Sequence, residues 1–227
     1  MGIHLVDTTD QWVEVKNVLI SVSDKRGLDR FVPHLLSINS GIRILSTGGT
    51  YDVIKRIAGE EYAQNLIQVS DYTGQPETQG GLVKTLDFKI YLGLLTETYN
   101  PSHLRDLERT RAVPIDMVVV NLYPFQETVA GEDVTFEKAR GNIDIGGPCM
   151  IRAAAKNFLR VAPVVDPGDY EAIIETMRAG SGRTNLALRY RLAQKAFAKT
   201  AEYDGAIASH LAKCAYETDV AVCYNLR

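Results

Sequence analysis

Val18-Leu19-Ile20-Ser21-Val22-Ser23-Asp24-Lys25-Arg26-Gly27 reads as a short buried strand running into a polar turn, and it decides how the rest of the chain is parsed. A compact apolar run bounded by turn residues is the pattern of a strand buried on both faces. The turn that follows brings two hydroxyls, two cations and a glycine to a strand-to-helix junction. Such a junction can offer backbone N–H groups, hydroxyl donors and positive charge to a phosphate. Plain helix capping by Ser23 or Asp24 would use the same residue types.

Outward from this stretch the same rhythm repeats. Apolar runs at Ile42 to Leu45, Leu66 to Val69, Ile115 to Val120 and Val161 to Val165 alternate with stretches of helical period. Helices are expected at Leu28 to Ile38, Thr50 to Ile57, Ser102 to Arg111, Pro148 to Asn157 and Tyr170 to Met177, with Pro33 a blemish in the first. Strands alternating with helices predict βαβ units, hence an α/β fold with a mainly parallel sheet. From Thr184 to Tyr216 the pattern turns helical, with Leu188, Leu192, Ala196 and Phe197 on one face and a break expected near Asp204 and Gly205. This predicts an N-terminal extension over 1–16, an α/β domain over 17–183, and a C-terminal helical appendage and tail over 184–227. Ala179-Gly180-Ser181-Gly182 is the candidate hinge between the last two.

Composition narrows the function classes. The chain has 227 residues, 45% of them hydrophobic, enough to fill a sizeable core. Both signs of charge are mixed and the net charge is −3, which argues against a broad grip on nucleic acid or an anionic membrane. An anion must then be gripped locally. Cys149, Cys214 and Cys223 are odd in number and lack Cys-x-x-Cys spacing, so neither a disulfide framework nor a thiolate metal site is indicated. Met1 to Lys16 holds no apolar signal core, Val6 breaks the myristoylation pattern after Gly2, and no run is long enough to span a membrane. The expected setting is cytoplasmic.

In an open parallel sheet, ligands bind beyond the carboxyl ends of the strands, which directs attention to the turns. Ser46-Thr47-Gly48-Gly49-Thr50 follows the second strand, and its glycines let backbone approach a ligand closely. It matches neither the dinucleotide glycine pattern nor the P-loop. After the third strand comes a long turn-rich segment from Ser70 to Thr85 that ends on Lys84 and Thr85. The fourth strand leads into Asn121-Leu122-Tyr123-Pro124-Phe125. Farther on, Asn142-Ile143-Asp144-Ile145-Gly146-Gly147 runs into a helix carrying Lys156. Asp144, between two isoleucines, is either a cap for that helix or a base whose surroundings tune its pKa. Lys84 and Lys156, each alone, would pass for solvated surface charges.

Taken in order, these turns, with Thr73-Gly74-Gln75-Pro76-Glu77, Val83-Lys84-Thr85-Leu86 and Arg152-Ala153-Ala154-Ala155-Lys156-Asn157, resemble the IMP cyclohydrolase domain of the bifunctional AICAR transformylase/IMP cyclohydrolase family over roughly residues 17 to 215. The resemblance implies a three-layer methylglyoxal-synthase-like fold and the closure of formyl-AICAR to inosine monophosphate with loss of water. It implies no cofactor and no metal, a purine ribonucleotide as the bound partner, and a homodimer. Carried over by motif, Asp144 would be the base, Lys84 would stabilise the oxyanion or protonate the departing oxygen, and Tyr123 would donate a hydrogen bond. Lys156 would hold Asp144 ionised. Ser21, Ser23, Lys25, Thr47, Gly48, Gly49 and Thr50 would cradle the phosphate, with Thr85, Asn121, Ile145, Gly146 and Gly147 lining the ribose and base.

The chain departs from the family in three places. Leu82 stands where an arginine usually precedes Val-Lys-Thr-Leu, Asp87-Phe88 stands where a His-Pro pair follows, and Arg26 replaces a threonine. The acid at 87 would reverse the charge beside Lys84, while Arg26 could add a cation near the phosphate. No transformylase domain is expected within these 227 residues, so the formylated substrate would come from a separate enzyme or domain. Two other readings use the same scaffold. Methylglyoxal synthase needs a histidine constellation, yet His4, His34, His103 and His210 all lie outside the glycine-rich turns. A nucleotide-sensing regulatory domain with little or no turnover needs the phosphate site but no base.

Overall fold

The computed structural model describes residues 5–75, 85–123, 125–131 and 134–225. Its centre is a five-stranded parallel sheet. In chain order the strands are β2 (Asn17–Val22), β3 (Arg43–Ser46), β4 (Leu66–Gln68), β5 (Met117–Asn121) and β6 (Ala162–Val164), following a short β1 (Trp12–Glu14) that lies outside this sheet. Their spatial order is β4-β3-β2-β5-β6. The chain therefore winds one way from β2 through β3 to β4, then returns to the other side of β2 with β5. The switch point lies between β2 and β5, where Val22 is in register with Asn121, and a ligand crevice is expected at that junction.

Successive strand residues point to opposite faces, and two hydrophobic layers follow from that alternation. Val18, Ile20, Met117 and Val119 meet Leu28, Phe31, Ile54, Ile173 and Met177 on one side. Those residues come from α1 (Leu28–Ile38), α2 (Gly48–Ala58) and α9 (Tyr170–Ala179). On the other side Leu19, Val118 and Val120 meet Ile90, Leu94, Met150, Ala154, Ala193 and Ala196, contributed by α4 (Phe88–Leu95), α8 (Gly146–Lys156) and α10 (Leu186–Leu211). The result is the α/β fold with a parallel sheet expected from the rhythm of the chain, in the three-layer form that the family resemblance implies.

The expected strands and helices are present with ends shifted by a few residues, and α1 runs through Pro33. Four short helices join them: α3 (Val69–Thr73), α5 (Pro101–Thr110), α6 (Phe125–Val129) and α7 (Phe136–Gly141). Of these, only α5 matches an expected helix. The C-terminal helix differs from its expected form in two ways. It continues through Asp204 and Gly205 without a break, where an exposed glycine costs a helix only about 1 kcal/mol. It also lies on α8 and β6 and buries Arg189 completely. That guanidinium donates to the carbonyls of Asp10, Phe158, Leu159 and Thr184, tying α10 to the N-terminal segment and to the loop before β6. Burial pushes its pKa down to about 10.

The 179–182 stretch forms a tight turn into β7 (Arg183–Asn185), which pairs antiparallel with β1. Gly180 is required there because a Cβ would sit 2.5 Å from the Trp12 ring, and Gly182 takes φ 83°. No helix among the described residues is long and apolar enough to cross a membrane.

Candidate functional site

The carboxyl ends of β2, β3 and β5 open on one cavity of about 740 Å³, within the range of small-molecule sites. Its walls are the turns singled out from sequence. Ser21, Ser23 and Lys25 come from the β2–α1 junction, Thr47 to Thr50 from the β3–α2 junction, Asn121 and Tyr123 from the end of β5, and Asp144 to Gly147 from the start of α8, with Thr85 between them. Of the expected site residues in the described regions, Lys156 alone is missing from the wall. Lys84 and Leu82 lie outside the described residues.

The amino end of α2 is open in a way that suits an anion. Thr47 at its N-cap makes no side-chain cap hydrogen bond, so the first amides of this eleven-residue helix keep their donors and their share of its dipole for a ligand. Gly49 has open space where a Cβ would stand. The Ser21 and Thr47 hydroxyls pair at 2.8 Å across the β2–β3 gap, which aligns the two turns. The Lys25 ammonium folds over the carbonyls of Val22 and Ser23 at 3.4 and 3.3 Å, long contacts that a phosphate could displace.

Two residues expected to touch ligand spend their side chains on the fold. The Asn121 amide is fully engaged with Asp24, accepting its N–H and donating to its carbonyl, both at 2.8 Å. That clamp holds the β2–α1 turn against β5. The buried Thr50 hydroxyl donates to the Val22 carbonyl at 3.1 Å and lies 3.2 Å from the Val22 N–H, joining α2 to β2. Both residues border the cavity, but as braces for the turns.

Asp144 is half-buried. Its Oδ1 accepts the Gly147 N–H at 3.0 Å, so the capping role and the place in the cavity wall coexist. Burial raises its pKa above the usual carboxylate range, opposed by the amides of Gly147 and Gly146. The glycine pair is crowded by neighbouring side chains, which a larger residue would have to displace. A Cβ on Gly147 would stand 2.3 Å from Asp144 Oδ2, and one on Gly146 would stand 2.6 Å from Thr85 Oγ1. Tyr123 projects at the rim, 57% exposed.

Two expectations need correction. Lys156 is the exposed last residue of α8, ten residues beyond Gly146 and so about 15 Å along the axis at 1.5 Å per residue. It does not stand beside Asp144, and burial, not a cation, dominates the Asp144 pKa. Arg26 turns outward to form an ion pair with Asp24 at 2.6 Å and adds no charge to the cavity. Asp87 is buried and caps α4, accepting the Lys89 N–H at 2.8 Å, a role that an acid before an apolar helix signals in sequence; the expected charge reversal beside Lys84 falls on a residue outside the described ones. Sequence reading also missed Tyr203 of α10, whose Oη accepts the Asp144 N–H at 2.8 Å.

A parallel α/β sheet with a polar cavity at its switch point, two turns rich in hydroxyls and glycine, and a half-buried carboxylate make an arrangement that could hold a small anionic ligand. The description "MGS-like domain" fits residues 31–149, and the description "AICARFT/IMPCHase bienzyme" fits residues 154–226. The chain belongs to this family, as an MGS-like domain of the AICARFT/IMPCHase type.

Among its relatives, the bifunctional purine biosynthesis protein PurH of Acidithiobacillus ferrooxidans is 48% identical over 198 residues, covering 87% of this chain and 37% of the relative. PurH of Thermoanaerobacter sp. is 48% identical, covering 86% and 37%. PurH of Leptospira biflexa is 44% identical, covering 88% and 38%. The chain thus spans a little over a third of the length of these curated relatives. The crystal structure of ForH is similar in fold, with a TM-score of 0.71 and 34% identity over 86% of this chain and 97% of that one.

Proposed function

We propose that this chain serves purine biosynthesis as an IMP cyclohydrolase, closing formyl-AICAR to inosine monophosphate. The observation that carries the reading is the convergence of the β2–α1 turn, the β3–α2 turn and the acid-bearing start of α8 on one cavity. The relatives named bifunctional purine biosynthesis protein support the biosynthetic role, and the AICARFT/IMPCHase family match is consistent with the reaction.

In this reading the nucleotide phosphate lies on the α2 amides and the Ser23 and Lys25 side chains, and the base extends toward Asp144 and Tyr123. The carboxamide nitrogen attacks the formyl carbon, forming the new N–C bond. Asp144 takes a proton from that nitrogen, an orientation and proton-transfer task suited to a carboxylate whose raised pKa makes it a stronger base. Tyr123 donates to the oxygen that becomes negative. That oxygen leaves as water with one proton from each of the two reacting nitrogens, so no external oxidant or co-substrate is required. Lys84 keeps the role the family motif implies, protonating the departing oxygen. Lys156 has no role in this reading, because of its distance along α8.

A continuous absorbance assay with purified protein and formyl-AICAR tests the proposal. The expected result is a rate above the uncatalysed closure. Tight IMP binding with no such rate would leave a nucleotide-binding module in its place.

A further inference from the structure

Tyr203 and Asp144 are 59 residues apart in sequence, yet the phenol oxygen accepts the Asp144 backbone N–H at 2.8 Å. The Tyr203 ring is buried, 7% exposed. It meets Phe125 edge-on with centroids 6.2 Å apart, and Phe125 meets the His210 ring in the same manner at 5.7 Å. One face of α10 therefore supports two loops of the cavity wall. Phe125 opens α6 two residues after Tyr123, and Asp144 sits in the short connection between α7 and α8.

Asp144 is held from two directions. Its main chain is bonded from α10 by Tyr203, and its Oδ1 is bonded from α8 by the Gly147 N–H. A half-buried amide that loses its acceptor must find another or move toward water. Without the phenol, the connection carrying the carboxylate would shift while the helices on either side stayed packed. Small displacements of a reacting group are costly to rate even when binding is preserved.

We infer that Tyr203 is a positioning residue for the ring-closing reaction, its hydroxyl fixing the Asp144 main chain so that the carboxylate keeps its place in the cavity wall. The inference rests on the cyclohydrolase reading of Asp144. It also gives α10 a task in catalysis, as the brace of the loop that bears the base.

Tyr203→Phe keeps the ring against Phe125 and removes only the acceptor. The measurements are kcat and KM with formyl-AICAR, together with hydrogen exchange of the Asp144 amide by NMR. Ile174→Val in the core face of α9 serves as a control for general destabilisation. The expected result is a kcat lowered roughly 10- to 100-fold, a KM near that of the parent, and faster exchange at Asp144, with none of these changes in the control. An unchanged kcat in Tyr203→Phe, or a fall matched by the control, overturns the inference. A parent protein that does not turn over formyl-AICAR sinks the cyclohydrolase reading and the catalytic part of this inference with it. The placement of Asp144 by Tyr203 is then decided by the amide alone, and unchanged exchange would refute it.

Discussion

At the amino ends of β2, β5 and β6, Asp116 and Arg160 form a buried ion pair at 3.0 Å. The Arg160 guanidinium also donates to the carbonyls of Gly93 and Thr96, and the second Asp116 oxygen accepts the N–H groups of Lys16 and Asn17. Beyond the carboxyl ends of β2 and β3, the Ser23 hydroxyl makes no hydrogen bond among the described residues, Lys25 makes only long ones, and α2 begins without a side-chain cap. Both ends are polar, but one is closed on itself. A buried charge whose donors and acceptors are all matched is part of the scaffold. Polar groups left open around a cavity are available to a ligand. Changes at the two ends should therefore separate, those at the amino end acting on stability and those at the carboxyl end on turnover.

The largest effect on turnover is expected from Asp144→Asn, which keeps the shape and removes the carboxylate that the proposed reaction uses as its base. The kcat should fall by about 10²- to 10⁴-fold. Because burial raises the folded pKa of Asp144 above its unfolded value, its protonation contributes stability at low pH that is lost as pH rises through that folded pKa. Thermal melts at neutral pH should accordingly show no loss for the variant. Comparable in energy but opposite in kind is Asp116→Ala, which strands the Arg160 charge in the interior. Denaturant unfolding should record a loss of about 3–5 kcal/mol, while the folded fraction keeps the parent kcat.

Gly147→Ala sharpens the contrast, since its new methyl meets the Asp144 carboxylate. Single-turnover kinetics should show a rate lowered roughly 100-fold. Ser23→Ala should raise KM by about tenfold through one lost hydrogen bond to a charged group, with kcat and stability near those of the parent. The gentlest probe is pH. The rate should fall on the acid side at a pH above that of an ordinary aspartate, since Asp144 must be ionised to act, and that limb should vanish from the Asp144→Asn profile.

How much of this was legible in sequence follows the same division. The sheet was readable because runs such as Val18 to Val22 and Ile115 to Val120 are apolar on both faces, and the cavity turns because Gly48, Gly49, Gly146 and Gly147 mark close backbone approach. What could not be read was the partner of each polar group. Asn121 looks like a ligand contact until its amide is found on Asp24, and Asp87 looks like a misplaced charge until it caps α4. The pairing of β1 with β7 joins three-residue strands some 170 positions apart, with no local signal. Tyr203 is concealed for the same reason. Lys156 was different, because ten helical residues after Gly146 already place it too far from Asp144.

The most direct measurement is a titration of the labelled protein with IMP, following backbone amides by NMR. The account predicts that Gly48, Gly49, Ser23 and Gly146 shift in a saturable manner while Asn17, Asp116 and Arg160 stay fixed. Saturable shifts confined to the amino-end group, or no shifts at the α2 amides at concentrations that saturate binding, would contradict it.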